Sequence, residues 1–151
     1  MIRSMIANID PTTKEVNIRR NLELENLQKV LNSESEGEPA GAPVGEESCK
    51  PECKLWLDIV DPTDDEIDWV AHQFKLNPAV VKDLLTTDRR PALMVYPTYL
   101  FLSLFQPHIH LSEIKGIEIH CIITDNCFIT VRESEASTVD AAYNRVAQNP
   151  A

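Results

Sequence analysis

Residues 56–91 read WLDIVDPTDDEIDWVAHQFKLNPAVVKDLLTTDRRP: a short apolar strand, two capped amphipathic helices and an Arg-Pro stop. Asp61-Pro62-Thr63 opens the first helix. Thr63 can accept from the backbone N–H of Glu66 while Glu66 reaches back, the reciprocal pairing of a capping box. Asp64 and Asp65 in the first turn complement the helix dipole. Ile67, Val70, Ala71 and Phe74 then follow the i, i+3, i+4, i+7 spacing of one buried stripe. The second helix opens at Asn77-Pro78, an N-cap followed by proline at the first helical position, and runs to about Leu85. On a helical wheel Val81, Leu84 and Leu85 share its buried face, which puts Asp83 on the opposite, exposed side.

Working outward, residues 98–105 predict a strand with Tyr99, Phe101 and Phe105 on one face and Leu100, Leu102 and Leu104 on the other. Apolar residues on both faces require a sheet covered on both sides, which is the α/β sandwich condition. Residues 117–124 and 127–132 predict an antiparallel pair joined by Asp125-Asn126, residues that tolerate a tight primed turn. Ser137 caps a last helix with Val139, Ala142, Tyr143 and Val146 inward, ended by Asn149-Pro150. Upstream, MIRSMIANI and EVNIRRNL predict a hairpin turning at Asp10-Pro11-Thr12-Thr13. Leu24, Leu27, Val30 and Leu31 recur at helical spacing. Residues 33–53 mix Glu with Gly and Pro and almost lack large apolar groups, the composition of a mobile loop. The expected fold is α/β: one domain over residues 1–151, with a mixed parallel/antiparallel sheet sandwiched between helices.

A chain of 151 residues can bury roughly 70% of its unfolded surface, enough for a packed core without staples. With 24 acidic against 14 basic side chains the net charge is −10. That sign opposes nucleic acid and anionic lipid surfaces and favours attraction of cations. No signal peptide is recognisable, and no run approaches the about 20 apolar residues of a membrane span. The chain as given therefore reads as soluble and cytosolic, where its four cysteines are expected reduced. No nucleophile elbow, P-loop or dinucleotide fingerprint is present, so no enzyme is expected.

The capped helix pair, the KDLL run at residues 82–85, Arg89-Arg90-Pro91 and the following YPTYLFLSLF together resemble the N-terminal cytoplasmic domain of the CorA family of divalent cation channels. The resemblance covers residues from about 55 to 150. It implies an α/β/α domain that senses ions beneath a pore, on the cytoplasmic face of the inner membrane, and conducts nothing itself. It further implies a homo-oligomer, pentameric in the full-length family, with the fragment alone a monomer or weak oligomer. Asp83 matches the family's aspartate that contributes to a divalent cation site between subunits. The ion implied is Mg²⁺, with Co²⁺ or Zn²⁺ as alternatives. Two departures stand out: Lys82 occupies the place of a second acid, and Ala92 replaces the Lys that usually follows Arg-Pro.

Other chemistry weighs less. Asp58, Asp61, Asp64, Asp65 and Asp68 could hold a hard cation and serve a metal-dependent hydrolase, yet helix starts and polar faces already account for acids there. Arg90 is expected to clamp a carboxylate near Asp58–Asp61. His108, His110 and the Cys49/Cys53 pair could bind zinc, but no second pair stands at matching spacing. Cys121 is expected to pack as a small apolar residue. A stand-alone interaction domain and a zinc-transporting relative's domain remain the competing readings.

Overall fold

In the computed structural model the described residues are 1–10, 13, 15–22, 24–35, 53–86, 90–110 and 113–148. The strands are β1 (Ile2–Ile9), β2 (Val16–Arg20), β3 (Cys53–Val60), β4 (Ala92–Val95), β5 (Leu100–His110), β6 (Glu113–Ile123) and β7 (Cys127–Arg132). The helices are α1 (Leu24–Ser35), α2 (Asp64–Gln73), α3 (Pro78–Leu84) and α4 (Ser137–Gln148). One sheet runs β2-β1-β3-β7-β6-β5-β4. Among the described residues only the central β3–β7 ladder is parallel, with Leu57 opposite Ile129; the remaining neighbours are antiparallel. The expected mixed α/β sheet is therefore present.

Alternation along the strands divides the core in two. Leu55, Leu57, Ile59, Ile129 and Val131 point to the face covered by α1, α2 and α3, where Leu27, Val30, Ile67, Val70 and Val80 meet them. Trp56 and Phe128 point the other way and join Ile119, Cys121 and Val139 beneath α4. The second face is only partly covered: Leu93, Val95 and Leu100, at the β4 edge, are exposed. No helix among the described residues is long and apolar enough to cross a membrane.

The α2 capping box forms as the sequence dictates, Glu66 N–H donating to Thr63 Oγ1 at 3.2 Å and Thr63 N–H to Glu66 Oε2 at 3.0 Å. Replacing Thr63 by alanine is expected to cost about 1 kcal/mol, read as a lower midpoint in urea. The last helix is capped differently from expectation. Thr138 N–H donates to Gln106 Oε1 at 3.0 Å, and Gln106 donates in turn to Ser137 Oγ, so β5 supplies the cap. Ala142 and Val146 are exposed, because the buried apolar contacts of α4 are made by Val139 and Tyr143.

Two expected strands are longer than their apolar cores. β5 and β6 pair from Leu100↔Ile123 out to His110↔Glu113, whereas β4 and β7 accompany them only at the inner end. The outer part is a two-stranded arm on which Ile109 and Ile114 face each other, 73% and 78% exposed. Phe105 lies over Gly116, where a Cβ would stand 2.9 Å from Phe105 Cδ1. Of the loop expected over residues 33–53, residues 33–35 belong to α1 and Cys53 opens β3; residues 36–52, with Cys49, lie outside the described residues. Cys53 is disulfide-bonded, contrary to the expectation of four reduced thiols, which rested on compartment and not on geometry. Cys121 and Cys127 are buried thiols outside any disulfide.

Candidate functional site

Asp83 sits in the last turn of α3, a helix of 7 residues fixed at both ends. At its start Asn77 Oδ1 accepts from Ala79 N–H at 2.9 Å, and Asn77 N–H donates to Tyr99 Oη at 2.9 Å. Tyr99 is itself buried and stacked on Tyr96 with centroids 4.6 Å apart. At its end Leu84 enters the core. The buried pair is Val80 and Leu84, with Val81 half-buried and Leu85 52% exposed, which corrects the expected Val81–Leu84–Leu85 face. That rotation brings Asp83 from the opposite side of the wheel to the flank, so its side chain is half-buried instead of fully exposed.

Asp83 lines a cavity of about 370 Å³ together with Arg90, Met94, Phe101, Ser103 and His120. Arg90 thus stands near Asp83 and not near Asp58, contrary to expectation. The cavity floor is the β5–β6 ladder, with Ser103 opposite His120 and Phe101 opposite Ile122. His120 stacks on Phe101 at 5.5 Å and its Nε2 lies 3.6 Å from Glu118 Oε1, which also accepts from Ser103 Oγ at 3.4 Å. This buried Ser103–Glu118–His120 cluster escaped the sequence reading. Its signal was present: Glu118 and His120, two apart in the strand IEIHCII, alternate with the isoleucines of the other face.

The acidic residues of 58–68 do not form one site. Asp58 is fully buried on the α4 face, whereas Asp61, Asp64, Asp65 and Asp68 are exposed around the start of α2. Asp58 Oδ2 accepts from Arg3 Nε at 2.9 Å and Arg132 Nη2 at 2.9 Å, and Oδ1 accepts from Thr130 Oγ1 at 2.6 Å. Asp140 of α4 takes Arg3 and Arg132 at 2.7 and 2.8 Å, closing a four-membered ion network. Burial alone would push the Asp58 carboxyl up; the hydrogen bonds from Arg132, Thr130 and Arg3 outweigh it and hold it below its ordinary value. Two guanidiniums therefore occupy this carboxylate, and a metal ion has no claim on it.

Among the described residues no group of three or more His, Cys, Asp or Glu side chains is placed to hold a metal ion. His108 is exposed on the arm, and the His110 side chain lies outside the described residues. Burial pushes the Cys121 thiol up to about 11, so a thiolate nucleophile or ligand there is suppressed near neutral pH. By its chemistry the Asp83 carboxylate could give a hard cation one oxygen ligand. Mg²⁺ keeps several waters and uses one or two protein carboxylates, so a single acid can take part in a site completed from elsewhere.

A family model described as "CorA-like Mg2+ transporter protein" matches residues 54–151. The cobalt/magnesium transport protein CorA of Thermotoga maritima is 26% identical over 97 residues, covering 62% of this chain and 28% of that protein. The complete structure of the CorA magnesium transporter from Methanocaldococcus jannaschii superposes with a TM-score of 0.60 at 9% identity, over 97% of this chain and 37% of that one. The full-length CmaX protein gives a TM-score of 0.59 at 16% identity, over 91% of this chain and 36% of that one. The chain thus spans well under half the length of these relatives.

Proposed function

Since this chain belongs to the CorA-like Mg2+ transporter family, we propose that it forms the ion-sensing cytoplasmic domain of a divalent cation transporter. On this reading it conducts nothing itself and catalyses no reaction. The transporter is a homo-oligomer, pentameric as the resemblance implies, and the domain lies on the cytoplasmic side of the cell membrane. Asp83 contributes one carboxylate to a Mg²⁺ ion whose other ligands come from a neighbouring copy; Co²⁺ and Zn²⁺ share the same oxygen chemistry less selectively.

The observation that carries the reading is the placement of Asp83. A helix anchored through Tyr99, Val80 and Leu84 holds it at a cavity rim, away from the core and from the Asp58 network. An ion bridging two copies shifts their arrangement only by its differential affinity for the bridged state. Several weak bridges around a ring sum to a usable bias.

Replacing Asp83 by asparagine keeps the shape and removes the charge. In the full-length transporter, Mg²⁺-dependent protection from proteolysis is expected to fall to the level seen without Mg²⁺. Urea unfolding of the same variant separates any loss of stability from loss of the Mg²⁺ response. Protection that survives the substitution would favour a stand-alone interaction domain.

A further inference from the structure

Glu118 and His120 stand two apart on β6 and are 4% and 5% exposed. By strand alternation they share the helix-covered face of the sheet with Ser103 and Phe101. His120 Nε2 lies 3.6 Å from Glu118 Oε1, the arrangement of an imidazolium beside a carboxylate. The Phe101 ring stacked on the imidazole presents a face that attracts a cation. The pair is buried but not sealed. A cavity of about 200 Å³ reaches both residues beside Leu84, Leu85 and Thr86, and the cavity of about 370 Å³ reaches His120 from the side of Asp83. The C-terminal end of α3 therefore spans two openings onto one imidazole.

Other charged groups face the pair from each neighbouring element. Asp61 and Asp64 at the start of α2, and Glu133 after β7, are exposed at the smaller cavity; Asp83 and Arg90 line the larger one. Arg132 also lines the smaller cavity, but its guanidinium is held by Asp58 and Asp140. Among the described residues the ion pair of Glu118 is with His120.

We propose that Glu118 and His120 form a proton-operated support for the C-terminal end of α3. A protonated imidazole balances Glu118 and lets the turn of Leu84, Leu85 and Thr86 close over the pair. A neutral imidazole leaves a buried carboxylate without its counter-ion, the costly state, and water drawn in through the two cavities loosens the turn. Imidazole changes charge between about pH 5 and pH 8. The folded state holds the proton through Glu118, so the support is complete on the acid side of that change and is lost as pH rises through it. Both residues belong to the fold of one chain, so the inference stands independently of the Mg²⁺ reading of Asp83.

The test is NMR of the imidazole rings of this chain from about pH 5 to pH 8, read together with the backbone amides of Leu84, Leu85 and Thr86. The His120 ring and the three amides are expected to move with one shared midpoint, distinct from those of the exposed His72 and His108. Hydrogen-exchange protection of the three amides, corrected for the intrinsic pH dependence of exchange, is expected to fall about 10-fold across that midpoint. Glu118→Gln keeps an acceptor for Ser103 and removes the charge, and His120→Gln keeps a donor that does not titrate. Each is expected to reduce the pH response of the three amides to less than about 2-fold. Where a variant does not fold, the wild-type spectra decide. The proposal is overturned if the His120 ring keeps one charge state throughout, if it titrates while the amides stay still, or if either folded variant keeps the wild-type response.

Discussion

Replacing Asp58 by alanine is expected to destabilise the fold by about 3–5 kcal/mol, enough to leave a large unfolded fraction at 37 °C. The carboxylate is fully buried and receives Arg3, Thr130 and Arg132. Its removal does more than delete the hydrogen bonds from these three partners. Arg132, only 2% exposed, keeps its charge without its main counter-ion, and an uncompensated buried charge is the costly outcome. Asparagine at the same position restores the shape but not the charge and is expected to recover little. Joint replacement of Asp58 and Arg132 by apolar residues of similar volume should recover much of the loss, since no orphaned charge remains. Equilibrium unfolding in urea checks all three. A cost below about 1 kcal/mol for Asp58→Ala would mean that water reaches the network and screens it.

The same carboxylate makes the fold acid-sensitive in a definite direction. Its folded-state pKa is depressed, so its contribution is complete above the ordinary carboxylate range and is lost as pH falls through the lower, folded value. Thermal midpoints should therefore decline below about pH 4, and Asp58→Asn should flatten that decline.

The second large effect is expected at Phe101, which is fully buried. It stands opposite Met94 on β4 and Ile122 on β6, and its ring stacks on His120. Phe101→Ala is expected to cost about 3–5 kcal/mol, from lost transfer energy and from the cavity left behind. Leucine keeps much of the volume and should cost less than about 1.5 kcal/mol. Because Phe101 also floors the cavity that Asp83 lines, the alanine variant should broaden the amide signals of α3 well before the midpoint of unfolding. Sharp, unshifted α3 signals would show that the helix is held by Tyr99, Val80 and Leu84 without help from this ring.

Local chemistry was legible in the sequence wherever it acts over a few residues. The Thr63–Glu66 capping box, the Asn77-Pro78 helix start and the Asp125-Asn126 hairpin all form where their residues stand. The wheel failed for α3 because a 7-residue helix has two turns, too few to fix the centre of its buried face. β4 went unread because a four-residue edge strand between prolines carries almost no periodicity. The ion network was illegible for a different reason: its partners Arg3, Asp58, Arg132 and Asp140 come from four elements far apart in the chain. Only the alternation in LWLDIV hinted at it, since Asp58 shares a face with Trp56. Asp83 came from the family resemblance, and periodicity put it on the fully exposed side of α3, where the structure has it half-buried.

That network has a bearing on how the protein is made. Arg3 and Asp140 are separated by 137 residues, and Tyr143 donates to the carbonyl of Ser4 across 139. At the ribosome, β1 emerges long before α4 exists, so Arg3 and the buried Asp58 wait for partners still untranslated. Contacts of such long sequence separation slow folding, because the loop must close before any of them forms. The fold is therefore completed only once α4 has been translated, and until β7 arrives the β3 edge, paired with β1 on its other side, is open to chaperones.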